Sequence, residues 1–251
     1  MASTDIATAA ALLLAARREG RRIGRLPAAC HPASVAEAHA IQDAVTAALG
    51  IPVGAFKANA PAGAEPTRGV IYAPTVYASP ARIPVAVVPQ CGVEGEVAFR
   101  FHHDLPPRST PYTREEVAAA VEACAAIEPV TSRYENPDAA TPLEKLADCI
   151  ANGAFVHGAP MKDWARLDLG KLKVTLTVNG LPVLEQTGGH PTGDPLGIVV
   201  ALVEMMRATT GVKAGQFVTC GSCTGLRYLK PGDSCGVRFE GLGDAELTFV
   251  A

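Results

Sequence analysis

Residues 92–101, GVEGEVAFRF, constrain the chain more tightly than any other stretch. Side chains alternate between the two faces of a strand, so Val93, Val97, Phe99 and Phe101 line one side while Glu94 and Glu96 share the other. The apolar side belongs against a core. The acidic side carries two like charges at positions i and i+2, and in partly buried surroundings neither sheds its charge without a raised pKa. The ordinary reading of such a pair is a strand face in water. A third ligand or a basic partner is what would turn it into a site.

A chain of 251 residues, 48 % apolar and 19 % charged, can bury a sizeable core as one large domain or two small ones. Its formal charge of −3 offers no basic field for nucleic acid or anionic lipid, so a small-molecule substrate is expected, with no nucleic-acid and no membrane partner. The N-terminal Ala/Leu run is preceded by Asp5 and followed by Arg17 and Arg18, which suits an amphipathic helix better than a signal peptide. No stretch reaches the roughly 18 to 20 apolar residues that span a bilayer, and a cytoplasmic protein is expected. The seven cysteines are scattered through apolar segments. Cys220 and Cys223 form a CxxC without a second ligand pair, which favours incidental placement over zinc or redox chemistry.

Helical signals open the chain, over residues 5–20 and again after Ser34, where Val35, Ala38, Ile41, Val45 and Leu49 recur at helical spacing before Gly50. Residues 51–92 read as loops with short strands. Thr113 and Glu116 make a capping box that predicts a helix through Val117, Val121 and Cys124, ended by Pro129. Glu128, before that proline, is then held in extended geometry. Further on, KVTLTV turns at Asn179-Gly180 into a second strand, the pattern of a hairpin. A helix capped by Asp194 with Pro195 at its first position is predicted to close at Gly211. FVTCGSC, SCGVRFEG and AELTFVA read as strands, with a turn at Pro231-Gly232. Hairpin-linked strands predict a mixed, β-rich α+β fold, divided into an N-terminal helical segment, 1–75, packed on a catalytic part, 76–251.

Glu94, Glu96 and Glu128 are the acids that combine an apolar setting with constrained geometry. Three carboxylates without His or Cys suit a hard cation, Mg2+ or Mn2+. Spacing alone leaves the convergence of the third acid an assumption.

The segment VEGEVAFRFHHDLP resembles the Val-Glu-x-Glu-[Ile/Val]-Ala-Phe segment of the fumarylacetoacetate hydrolase superfamily, in particular its 2-keto-4-pentenoate hydratase branch. AIQ, FKANAP, AIEPVTSRYEN, LADCIANGAFVHG and GSCTGLRYLKPGDSCGVRFEGLG resemble further motifs of that branch in the same order, over nearly the whole chain. The resemblance implies that Glu94, Glu96 and Glu128 are ligands of a Mg2+ or Mn2+ ion that chelates a short 2-keto acid. It implies a lyase of aromatic catabolism, hydrating 2-hydroxypenta-2,4-dienoate. It places Lys57 near the substrate as a catalytic residue, and Gly221, Ser222 and Thr224 in a turn that binds the substrate carboxylate. Arg133 is either a carboxylate clamp or a structural ion-pair partner. None of the six histidines is expected to act as general base. The branch usually has polar residues where this chain has Ala73, Thr131 and Ala151. Those departures keep two alternatives open: a decarboxylase of the 4-oxalocrotonate type, and a weakened family member serving as partner subunit. Homo-oligomerisation is expected, with a pathway decarboxylase or aldolase as a possible further partner.

Overall fold

A computed structural model describes residues 3–251, with side chains described from Asp5 onward. Its helices are α1 (Ser3–Glu19), α2 (Val35–Leu49), α3 (Arg114–Ala119), α4 (Pro142–Ala147) and α5 (Pro195–Arg207). The strands of the first half are β1 (Val53–Asn59), β2 (Thr67–Tyr72), β3 (Val76–Ala78), β4 (Ala81–Pro84), β5 (Gly92–Phe101) and β6 (Val121–Val130). Those of the second half are β7 (Phe155–His157), β8 (Lys173–Val178), β9 (Leu181–Thr187), β10 (Phe217–Ser222), β11 (Arg227–Tyr228), β12 (Ser234–Phe239) and β13 (Gly243–Val250). Eight strands form one sheet, in the order β2-β1-β10-β5-β6-β7-β3 with β11 also on β5; five form a second, β4-β13-β12-β8-β9. This is the mixed, β-rich α+β architecture expected from the sequence.

The two faces of β5 go to different places, as its alternation demands. Val93, Val97, Phe99 and Phe101 are buried in the main core, between the sheets, with Val174, Leu176, Val237, Leu247 and Phe249 of the second sheet. Gly95, between the two glutamates, marks a close approach of β5 to the second sheet: a Cβ there would lie 2.7 Å from Val237 Cγ2 and 2.8 Å from Thr224 Cγ2. The opposite face carries small residues, Ala55, Ala98, Cys124 and Ala126, under the rings of Phe155 and Phe217. Those rings stand on β7 and β10, which two strands separate, so in a flat sheet their backbones would lie about 14 Å apart. Their centroids are 5.6 Å apart, and the larger sheet therefore curls around this face.

One predicted element is corrected. The helix begins at its Thr113–Glu116 capping box but stops at Ala119, and the rest of the run is β6, antiparallel to β5 from Val121↔Phe101 to Gly92↔Val130. All ten residues of β6 are buried. A strand covered on both faces has no polar alternation to display, so its apolar run imitates helical spacing. Pro129 does not end the element but lies within it. The residues after Gly50 form β1 and β2 of the larger sheet. One smaller difference accompanies the correction. Helix α5 ends at Arg207, four residues before Gly211, whose N–H still reaches Met206 O at 2.9 Å.

The helical layer has its own core, in which Leu13, Ile41, Val45, Tyr134 and Leu146 are buried together. Buried Gln42 ties α2 to the sheet and to α4: its Nε2 donates to Arg68 O (2.9 Å) and Leu146 O (2.5 Å), and its Oε1 accepts from Val70 N (3.2 Å). The hairpin turns at Asn179-Gly180, both at positive φ (51° and 76°). The seven cysteines are all free and buried. Among the described residues no helix is long and apolar enough to cross a membrane.

Candidate active site

The β5–β6 register sets Glu94 directly opposite Glu128, and Glu96 follows two residues on along the same face. Carboxylate oxygens of the three acids all lie within 4.8 Å of one another. Glu96 is 1 % exposed and Glu128 not at all. From β1, Lys57 Nζ stands 2.7 Å from Glu128 Oε2 and donates to Ile150 O at 3.1 Å. Lys57 pairs with Thr219 on β10, and the curl brings both onto the acidic face.

Each acid is held from behind. Glu96 Oε2 accepts from Gly221 N (2.8 Å) and from the Thr219 hydroxyl in a short contact, and Oε1 has no hydrogen-bond partner among the described residues. Glu128 Oε1 accepts from Asn152 Nδ2 at 2.8 Å, while its buried Oε2 has the Lys57 ammonium at ion-pair distance but no well-aligned hydrogen bond. Ser222 Oγ is also buried without an aligned hydrogen bond, close enough to Glu94 to favour its charged form. Asn152 and Lys57 are reached through an unusual turn: Cys149, Ile150 and Ala151 all have positive φ, 55°, 53° and 57°. Such backbone is costly for residues with a Cβ, most of all for a β-branched one, and tends to occur where geometry is functional.

Burial, then the charges of Glu128 and Glu94, push Glu96 up to about 8 against the opposing pull of Lys57 and Thr219. Burial and Glu128 raise Glu94 as well. For Lys57 burial works against the ammonium, but Glu128, Glu96 and Glu94 together outweigh it and its pKa is raised. With every group charged, three acids and one lysine leave a surplus of negative charge that a divalent cation would neutralise.

The donor set fits such an ion. It is all oxygen, as hard cations require. Two ligands of one Mg2+ lie at most about 4.2 Å apart and two of one Ca2+ about 5 Å, so oxygens within 4.8 Å need little closing to share a cation. Cavities of about 480, 550 and 230 Å3 elsewhere on the protein are lined by none of the three glutamates.

Other residues singled out in the sequence lie nearby in different roles. The Gly221 N–H is engaged by Glu96, and the Thr224 hydroxyl accepts from Gly95 N (2.8 Å) and donates to Gly225 O (3.2 Å). Of that turn, only Ser222 keeps an unaligned polar group. Arg133 is buried and faces inward: Nε donates to Asp148 Oδ1 (2.5 Å), Nη1 to Asn152 O (2.6 Å) and Nη2 to Asp148 O (2.7 Å). In this arrangement its guanidinium is engaged by groups of the protein itself. Asn152 and Thr219 were not anticipated. Nothing in an apolar run such as ANGAFV, or in an alternating strand such as FVTC, distinguishes a polar residue that supports a ligand from one that fills a core. His157, on β7, stacks on Phe217 with centroids 4.3 Å apart and has Nδ1 2.9 Å from Gly158 O.

A curled sheet that brings three carboxylates and a lysine together on one face is an arrangement chemically suited to a hard cation. The family described as fumarylacetoacetate (FAA) hydrolase, C-terminal, matches residues 37–250, and the chain belongs to that family. It is 27 % identical to the 2-keto-4-pentenoate hydratase of Burkholderia vietnamiensis (strain G4 / LMG 22486), over 98 % of each chain. It is 32 % identical to the 4-oxalocrotonate decarboxylase of Pseudomonas putida, over 54 % of this chain and 52 % of that one. The solved 4-oxalocrotonate decarboxylase of Pseudomonas putida G7, complexed with magnesium and adipate, has the same fold: TM-score 0.82, 22 % identity, covering 100 % of this chain and 98 % of that one. Relatives named as hydratases and decarboxylases make this chain an enzyme of the family.

Proposed function

We propose that the chain is a divalent-metal-dependent lyase acting on a short unsaturated 2-keto acid, most simply adding water to 2-hydroxypenta-2,4-dienoate in the cytoplasmic breakdown of aromatic compounds. The observation that carries this reading is the convergence of Glu94, Glu96 and Glu128 within 4.8 Å, beside a lysine 2.7 Å from one of them. Held by the three glutamates, Mg2+ or Mn2+ would supply Lewis-acid polarisation of the keto oxygen and offset charge developing there. The protein's own groups do the rest. Lys57 is fixed by Ile150 O and Glu128, and its raised pKa keeps it an ammonium, so it holds an anionic oxygen or delivers a proton instead of accepting one. Ser222 Oγ is the group of its turn left to meet the substrate carboxylate, while Gly221 and Thr224 hold the strand that carries the acids. Arg133 fixes Asp148 and the Asn152 carbonyl, and so positions the amide that orients Glu128.

Loss of CO2 from the same kind of substrate is the second reading. It is favoured by the neutral side chains at Ala73, Thr131 and Ala151 and by the decarboxylase relative. The full chain with Mg2+, offered 2-hydroxypenta-2,4-dienoate and 4-oxalocrotonate in turn, is expected to form a 4-hydroxy-2-keto acid without releasing CO2, followed by proton NMR. Release of CO2 with no 4-hydroxy product would reject hydration. No turnover of either substrate would favour a partner-subunit role.

A further inference from the structure

The Cys149–Gly153 segment serves two places at once. Ile150 O and Asn152 Nδ2 reach Lys57 and Glu128, while Gly153 lines the cavity of about 480 Å3 that contains none of the glutamates. Apolar groups from Ala16, Leu49, Ile51, Tyr72 and Val87 line much of this cavity. Its charge is one-sided: Arg17, Arg18, Arg21, Arg22 and Arg133 line it and no acid does, in a chain whose net charge is −3.

The arginines are not balanced by what surrounds them. Arg133 has its donors satisfied by Asp148 and Asn152, as above. Arg17 reaches that same Asp148 only through Nη2, at 3.4 Å to its carbonyl and 3.5 Å to its carboxylate, with the side chain 15 % exposed. Two guanidinium groups thus share one carboxylate. Arg21 has Glu19 at 3.4 Å, Arg18 meets only the carbonyl of Ala48, and Arg22 has no acidic partner among the described residues. Five cations therefore face two contacting acids. The C-terminal dipole of α1 favours basic residues in its last turn and accounts for Arg17 and Arg18, but Arg21 and Arg22 lie beyond the helix end. A cationic rim on an apolar cavity of this size is the composition of a small-molecule site: hydrophobic walls bind the body, and a few charges fix one group of opposite sign.

We propose that this cavity is a second ligand site, separate from the metal-centred one, for a small organic anion with an apolar body and a single carboxylate. The carboxylate lies against Arg17, Arg21 and Arg22, and the body on Tyr72, Ile51 and Val87. The site does not depend on the lyase reading. Isothermal titration calorimetry of the metal-free full chain with benzoate tests it, with benzamide as the neutral isostere and inorganic phosphate as an anion without an apolar body. Benzoate is expected to bind at one site per chain and at least tenfold more tightly than either control. Arg21→Glu with Arg22→Glu, at exposed positions outside the fold's core, is expected to weaken benzoate at least tenfold, as is Arg17→Leu. Glu96→Gln is expected to leave it unchanged. The proposal is overturned by any of four results: no benzoate binding, benzamide or phosphate binding equally well, benzoate binding that survives Arg21→Glu/Arg22→Glu or Arg17→Leu, or benzoate binding that is lost in Glu96→Gln.

Discussion

At the scale of single residues, the site separates groups that would touch a cation from groups that aim them. Glu96→Gln keeps the shape but removes the charge, and the Gln amide still accepts from Gly221 N. The fold is expected to survive, while Mg2+ or Mn2+ affinity measured by calorimetry falls further than in Thr219→Val, which deletes only a supporting hydroxyl. Loss of such an outer partner typically costs about 10–100-fold in metal affinity. Equal losses in the two variants would remove Glu96 from the ligand set. A second residue carries a pH dependence unrelated to the metal. Burial, then the Arg68 charge, lowers His39 to about 4, and its Nε2 accepts from Arg68 N at 3.1 Å, which requires the neutral ring. The unfolded chain takes up this proton near pH 6.5 and the folded one near 4. The contribution is therefore fully present above pH 6.5 and is lost as pH falls toward 4. His39→Gln, whose amide oxygen also accepts, is expected to show a flatter urea midpoint between those pH values than the parent protein.

At the scale of elements, what the sequence revealed depended on whether a segment kept contact with water. The Asn179-Gly180 hairpin and the Thr113–Glu116 capping box were legible because their signals are local hydrogen bonds and positive φ angles. The acidic pair on β5 was legible for the same reason as any half-buried strand, its alternation. β6 was not, since burial of both faces erases the period that separates strand from helix. The turn at Cys149–Ala151 was not legible either, because Ile and Cys rarely take positive φ and only tertiary contacts hold them there. Contacts between elements were likewise hidden. Gly158, at the end of β7, meets β13 so closely that a Cβ would stand 2.1 Å from Asp244 O and 3.2 Å from Ala125 O, both backbone atoms with no side chain to swing aside. Gly158→Ala is therefore expected to cost about 1–3 kcal/mol or more in chemical denaturation, by forcing the two sheets apart. An unchanged denaturation midpoint would mean that the sheets do not meet there.

At the scale of the whole molecule, the metal-free chain is held against its own electrostatics. Three carboxylates with converging oxygens sit on the curled sheet with one lysine beside Glu128, and burial disfavours the charge on two of them. A cation that binds only the folded chain, because only folding brings β5 and β6 together, must stabilise it by mass action. At a free concentration about 100 times Kd this amounts to about 2.7 kcal/mol. For a chain of this length each kcal/mol raises Tm by roughly 2–4 °C, so saturating Mg2+ or Mn2+ is expected to raise Tm by about 5–11 °C. Na+ at equal ionic strength controls for screening, which acts on surface charges generally and cannot discriminate a site. Glu96→Gln separates the two effects. Replacing a buried carboxyl whose charge is disfavoured costs the metal-free protein little, so its Tm without metal is expected to stay near that of the parent while its response to Mg2+ largely disappears. A full Mg2+ response in Glu96→Gln, or none in the parent, would show that the three glutamates repel one another on this sheet face without an ion ever joining them.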